Sequence, residues 1–151
     1  MSEDVITRFI AGLPSAFDDG DENVAGKRVE SENVRRLQEL YRALAHDELA
    51  AALSLMAPDV EMEIRAPSEL GLVCSARGAA PTLAVMQENF AKVENQEPEV
   101  VSLVAQGNKV VVIAREKGRH RTSGRPYDLH WVQHYRFRDG KIARLLELVA
   151  G

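Results

Sequence analysis

One cysteine, one tryptophan and an aromatic content of 5% in 151 residues mark what this sequence has least of, and the scarcity narrows the choices. Cys74 cannot form an internal disulfide and has no neighbours spaced for zinc, so a reducing, cytoplasmic setting is expected. As a lone thiol among Val73, Ser75 and Ala76 it reads as a small buried filler. No sign of charge dominates: 19 basic against 23 acidic side chains leave a net charge of -4, which gives no reason to expect a polyanionic partner, so nucleic acid is disfavoured. Long apolar runs are missing too. The stretch from Phe9 to Phe17 is too short to span a bilayer and follows Glu3 and Asp4 rather than a basic segment, which argues against a signal peptide and a membrane partner. No internal repeat or low-complexity segment is present.

What the chain does have is a hydrophobic content of 45% beside 28% charge, ordinary for a globular protein. A chain of this length forms one domain most simply and buries roughly 70% of its unfolded surface, so it needs no covalent staples. The strongest local signal is the stretch from Arg125 to Val149, which predicts a long antiparallel hairpin turning at Asp139-Gly140. A type I′ turn requires positive φ at both central residues, and Asp-Gly between alternating apolar runs supplies it. The incoming arm alternates Leu129, Trp131, Gln133, Tyr135 and Phe137 with His130, Val132, His134 and Arg136. Both faces are therefore largely apolar. Such a ribbon covers one face with helices and surrounds a pocket or forms a subunit interface with the other.

Taken in order, Glu3 to Leu13 predict a short arm helix with Val5, Ile6, Phe9, Ile10 and Leu13 on one stripe, followed by an acidic linker from Asp18 to Glu22. Residues 1–30 are read as this arm and linker, and 31–151 as the domain. Ser31 is taken as the N-cap of a helix presenting Val34, Leu37, Leu40, Tyr41 and Leu44. Asp47 is taken to cap a second helix carrying Leu49, Leu53 and Met56, ended by Pro58-Asp59. Val60, Met62 and Ile64 then alternate in a short strand with Glu61, Glu63 and Arg65. A third helix begins near Pro81 and presents Leu83, Met86, Phe90 and Val93. Strands from Val100 to Ala105 and from Lys109 to Arg121 meet at a Gly107-Asn108 turn, before the final hairpin.

Helix, helix, strand, helix and four meandering strands is the element order of the SnoaL-like and nuclear transport factor 2-like superfamily. Several phrases resemble that superfamily: Leu55-Met56-Ala57-Pro58-Asp59-Val60 at the passage from helix to strand, Arg77-Gly78 before the third helix, Gly124-Arg125-Pro126-Tyr127 at a strand turn. Tyr135-Arg136-Phe137-Arg138-Asp139-Gly140-Lys141-Ile142 resembles its last hairpin most closely. The resemblance runs from about Val34 to the C-terminus. It implies an α+β fold in which a curved, mostly antiparallel sheet wraps on helices in a cone. It does not choose among isomerases, dehydratases, cyclases, hydrolases and non-catalytic modules, because these phrases mark fold. Carried over residue by residue, the ketosteroid isomerase site is broken. Leu40, with Tyr41 beside it, stands where an oxyanion-hole tyrosine belongs, and the general base falls on Ile64, between Glu63 and Arg65. The second oxyanion-hole acid falls on Gln133. An aspartate and histidine dyad of dehydratase relatives is also missing, since Ala45-His46 occupies the helix end where it belongs.

If Gln133 faces the cone, as the resemblance implies, strand parity sends Trp131, Tyr135 and Phe137 inward with it. A two-residue turn at Ser123-Gly124 would pair Glu116 with Trp131 and Ala114 with Gln133, placing Glu116 on the same wall. Glu116 and Gln133 are thus the candidate catalytic pair, acid/base and oxyanion donor, with Tyr41, Glu63, Trp131 and Tyr135 as candidate ligand contacts. The open alternatives are a pocket that binds an apolar or carbonyl-containing small molecule, an isomerase-, dehydratase- or cyclase-type enzyme, and a dimeric module with no chemistry. No cofactor is expected. His130 and His134 share the opposite face with no third ligand, so no metal site is expected either. Arg115, Lys117, Arg119 and Arg121 form a basic ladder without interleaved aromatics, read as a solvated or acid-paired strand that the linker could also meet. Val111, Ile113 and Val132 on the face left uncovered predict a homodimer.

Overall fold

A computed structural model describes residues 24–151. The predicted arm helix and acidic linker, and with them the proposed contact between linker and basic ladder, lie outside the described residues. Three helices pack on one six-stranded sheet: α1 (Val24–Ala45), α2 (Leu49–Ser54), β1 (Met56–Arg65), β2 (Ser75–Arg77), α3 (Ala79–Phe90), β3 (Val93–Gln106), β4 (Lys109–His120), β5 (Pro126–Arg138) and β6 (Lys141–Ala150). The strand order is β2-β1-β6-β5-β4-β3. All neighbours run antiparallel except β1 and β6. The sheet is curved and unclosed, the α+β cone expected.

The final hairpin forms as its sequence predicts. Asp139 and Gly140 have φ of 52° and 75°, and Arg138 pairs with Lys141 across them. The predicted alternation holds along the strands: Val110, Val112 and Ala114 of β4, Trp131, Tyr135 and Phe137 of β5, and Val60, Met62 and Ile64 of β1 are all buried in one core. Helix α1 closes this core because Val34, Leu37, Leu40 and Tyr41 recur on one helical stripe. Leu37 and Leu40 are fully buried, each worth roughly 1.5–3 kcal/mol of transfer free energy.

Several boundaries move, each for a local reason. Helix α1 begins at Val24, so Ser31 sits inside it and not at its N-terminus: the run from Lys27 to Glu30 continues the helix upstream. Asp47 takes a left-handed conformation (φ 54°) in the tight link between helices, and Glu48 holds the N-cap position of α2 with no side-chain capping bond, its carboxylate accepting instead from Arg42 (2.8 Å). Met56 and Pro58 belong to β1, not to the helix before it. The strand tolerates the proline because its pairing with β6 shifts between Met56 and Glu61. Val93 likewise opens β3 instead of closing α3. Pro98 is accommodated there because β3 is an edge strand whose pairing shifts between Glu94 and Glu97. Cys74 is exposed, its thiol donating to the Leu72 carbonyl at 3.2 Å, which corrects the buried-filler reading.

Two register details decide what faces the cone. The β4–β5 connection is a four-residue loop, closed by Gly124 N–H to the His120 carbonyl (2.8 Å) and His120 N–H to the Arg125 carbonyl (2.9 Å). Glu116 therefore pairs with Leu129 and Ala114 with Trp131, a slip of two residues from the expected register. A slip of two preserves the face. In β6, Phe137 pairs with Ile142 but Arg136 pairs with Arg144, so Ala143 is an extra residue, a β-bulge. From there on the face of β6 is inverted. Leu145, Glu147 and Val149 point into the cone, and Leu146 and Leu148 point away.

The turn is also tied to the first helix. A Cβ on Gly140 would lie 2.9 Å from Nη2 of Arg36, at a φ of 75° that L-residues seldom adopt. Gly140→Ala should cost about 1–2 kcal/mol of unfolding free energy. Urea titration would check it, and an unchanged midpoint would refute the strain argument.

Candidate functional site

The concave side of the sheet, with α1 and the end of α3, encloses a cavity of about 120 Å³. Its walls include Tyr41, Ile64, Leu72, Phe90, Val93, Tyr127, Leu129, Trp131 and Val149, with Asn89, Lys92, Gln96, Glu116, His120, Gln133 and Glu147 as polar groups. Sequence reasoning placed Tyr41, Glu116, Trp131 and Gln133 here, and all four line the cavity. Tyr135 lies directly behind, buried and bonded to Gln133. Glu63 does not belong to the site. Parity turns it away from Met62 and Ile64, and it pairs outside with Arg65 (2.8 Å) and Arg144 (3.7 Å). The basic ladder is acid-paired in part, Arg115 with Asp128 (3.1 Å) and Arg121 with Glu94 (3.4 Å). Among the described residues no group of three or more His, Cys, Asp or Glu is placed to hold a metal ion.

The deep end of the cavity is a hydrogen-bonded junction between α1 and β5. The Tyr41 hydroxyl donates to Oε1 of Gln133, the Tyr135 hydroxyl does so at 2.6 Å, and the two phenol oxygens are 2.7 Å apart. With its carbonyl occupied by phenols, the amide must present its nitrogen to the other side. There Nε2 donates to Oε1 of Glu147 at 3.2 Å. Burial pushes both phenols well above their ordinary pKa, so they remain neutral donors. Glu147 is the site's unusual acid. Loss of solvation raises its pKa to about 7, opposed by the Gln133 hydrogen bond and reinforced by the negative charge of Glu116.

Nearer the mouth, Glu116 accepts a bond from the Tyr127 hydroxyl (2.6 Å) and one from Nε2 of Gln96 (3.4 Å). Burial, then the charge of Glu116, pushes the Tyr127 phenol upward as well. The chain's three tyrosines and its one tryptophan thus all meet at this cavity. Glu147, Tyr127 and Gln96 are the functional groups sequence reasoning missed. Glu147 is the lone charge in Leu145-Leu146-Glu147-Leu148-Val149, a signal that was visible. Its direction was not, because a regular two-residue hairpin would have placed it opposite Val132 on the outer face.

A model of the SnoaL-like domain matches residues 37–145. The chain belongs to the SnoaL-like family. No curated protein matches it. Solved structures share the fold. A nuclear transport factor 2-like protein from Burkholderia xenovorans is 24% identical over 80% of this chain and 91% of its own, with a TM-score of 0.69. A SnoaL-like polyketide cyclase, so described, from Jannaschia is 18% identical over 86% and 91%, at 0.70. An epoxide hydrolase of the LEH-like type from Mycobacterium tuberculosis is 14% identical over 80% and 84%, at 0.61. Within this SnoaL-like chain, the position where the isomerase base falls, Ile64, is the parallel-strand neighbour of Glu147. No described helix is long and apolar enough to cross a membrane.

A carboxyl whose folded pKa is raised takes up a proton on folding. For Glu147 the stabilising contribution is full below its ordinary pKa of 4.5 and is lost as pH rises through about 7. Glu147→Gln removes the charge that is unfavourable at high pH. It should stabilise the fold by up to about 3 kcal/mol at pH 8 and by little at pH 4. Urea unfolding at the two pH values measures the difference. A gain that does not depend on pH would mean that Glu147 is not desolvated.

Proposed function

We propose that the cone binds a small, largely apolar molecule bearing a carbonyl or hydroxyl oxygen, and that Glu147 moves a proton on it. The observation that carries this reading is a carboxyl on the cavity wall with a pKa of about 7, held in one orientation by Gln133. At neutral pH such a group is populated in both its acid and base forms, the condition for efficient general acid–base catalysis. Glu147 takes the acid/base role first given to Glu116. Gln133, whose amide is directed at Glu147, acts as its positioning residue while the paired phenols fix the amide in turn.

The lining also favours a second reading, a binding cavity without chemistry: most of the wall is apolar and the aspartate and histidine dyad of the dehydratase relatives is missing. A ligand screen by thermal shift, repeated on Glu147→Gln and Gln133→Ala, separates the two. Ligands that stabilise both native and Glu147→Gln protein, with turnover at least 100-fold lower in the variant, support proton transfer. Stabilising ligands that no form converts leave a carrier.

We further propose that the convex face forms a homodimer. Val104, Val111, His134 and Leu146 stand in one cross-strand row, and Ile113, Val132 and Leu148 in the next. Val104, Ile113 and Leu148 are 56%, 37% and 42% exposed, an apolar area seldom left in water. Light scattering at micromolar concentration should give twice the chain mass, and Ile113→Glu should halve it. A monomeric native protein would end this proposal.

A further inference from the structure

The deep junction accounts for Glu147 but leaves Glu116 without a use. Glu116 is half-buried on the cavity wall, and both of its protein hydrogen bonds, from Tyr127 and Gln96, fall on one oxygen, Oε2. No described donor reaches Oε1. Neither contact carries charge, and carboxylates inside proteins are seldom left without a cation. Among the described basic groups none forms an ion pair with it: His120, on the same lining, sets its ring against that of Tyr127, with centroids 5.3 Å apart. Lys92, on the same lining, places Nζ 2.6 Å from the Gly71 carbonyl, and Arg115, the sequence neighbour of Glu116, turns to the outer face and pairs with Asp128.

The arrangement is also built. Gly118 is the cross-strand partner of Tyr127, and the tyrosine ring lies on it: a Cβ at this position would come within 2.8 Å of ring carbon Cε1 and closer still to the hydroxyl. Only glycine lets the ring lie flat across β4 and deliver its hydroxyl to Oε2 of Glu116. The rings of Tyr127, Trp131 and Phe90 line the same cavity, a setting in which an organic cation gains from aromatic faces as well as from the carboxylate.

Resting on the reading that the cone binds a small molecule, we propose that Glu116 is the anchor for a protonated amine on that molecule, with Tyr127 and Gly118 as its positioning residues. The ligand then spans the cavity, its ammonium at Glu116 and its reacting carbon or oxygen toward Glu147. The volume sets the scale, since a dry cavity of about 150 Å³ accepts a benzene ring. The amine therefore stands on a skeleton of about one ring.

Three probes of nearly one shape test this: benzylamine, benzyl alcohol and ethylbenzene, titrated calorimetrically into the full chain at pH 8. Benzylamine should bind at least tenfold tighter than either neutral probe. Glu116→Gln should remove that advantage, and Tyr127→Phe should reduce it at least threefold while circular dichroism shows both variants folded. Benzyl alcohol binding as well as benzylamine would make Glu116 a neutral hydrogen-bond acceptor and overturn the amine. Ethylbenzene binding as well would overturn it too, leaving an apolar cavity and the broader reading of the cone intact. Should none of the three bind, the small-molecule reading falls together with the amine.

Discussion

The bonds from the Tyr41 and Tyr135 hydroxyls to the Gln133 amide are the contact on which the rest of this architecture turns. They join the first helix to the middle of the sheet by polar contacts at the bottom of an otherwise apolar cone. Gln133 is half-buried on the cavity wall, and each of these bonds contributes about 1 kcal/mol, which favours the helix position that brings Tyr41 to it. The same bonds leave the amide one orientation, nitrogen toward Glu147. A structural lock between helix and sheet is therefore also what aims the site's acid.

The two carboxyls in the cavity show how one chamber gives similar groups different characters. Glu147 is desolvated, accepts a bond from the Gln133 amide and meets no cation among the described residues, so its proton is held to near neutrality. Glu116 lies toward the mouth and accepts bonds from a phenol and an amide on one oxygen. Glu147 is turned inward by the extra residue at Ala143, and the missing side chain at Gly118 makes room for Tyr127 to meet Glu116. Bulges and strand glycines next to cavities are features that re-aim side chains, and both act that way here.

Much of the frame was legible in the residues. The α1 stripe, the Asp139-Gly140 turn and the shared face of Trp131, Gln133 and Tyr135 follow from period and turn chemistry, which act over a few residues, and the resemblance implied that this face points inward. The boundaries that moved, at Val24, Met56 and Val93, are places where pairing with a distant strand or continuation of a helix outweighed local punctuation by Pro58, Pro98 and Ser31. Local preference is worth fractions of a kcal/mol per residue, less than the burial gained by extending an element.

The sequence by itself determined the helix stripes, the final hairpin and the shared face of its aromatic residues, because side-chain period and turn geometry are properties of neighbouring residues, while the SnoaL-like cone was legible only through the resemblance of its phrases to that family. It also determined that Glu116 and Gln133 share a face, since a register slip of two leaves parity unchanged. Only the tertiary structure decided that Glu147 faces the cavity and Glu63 does not. A one-residue bulge inverts a strand, and whether it forms depends on packing against the partner strands, an energy no single segment contains.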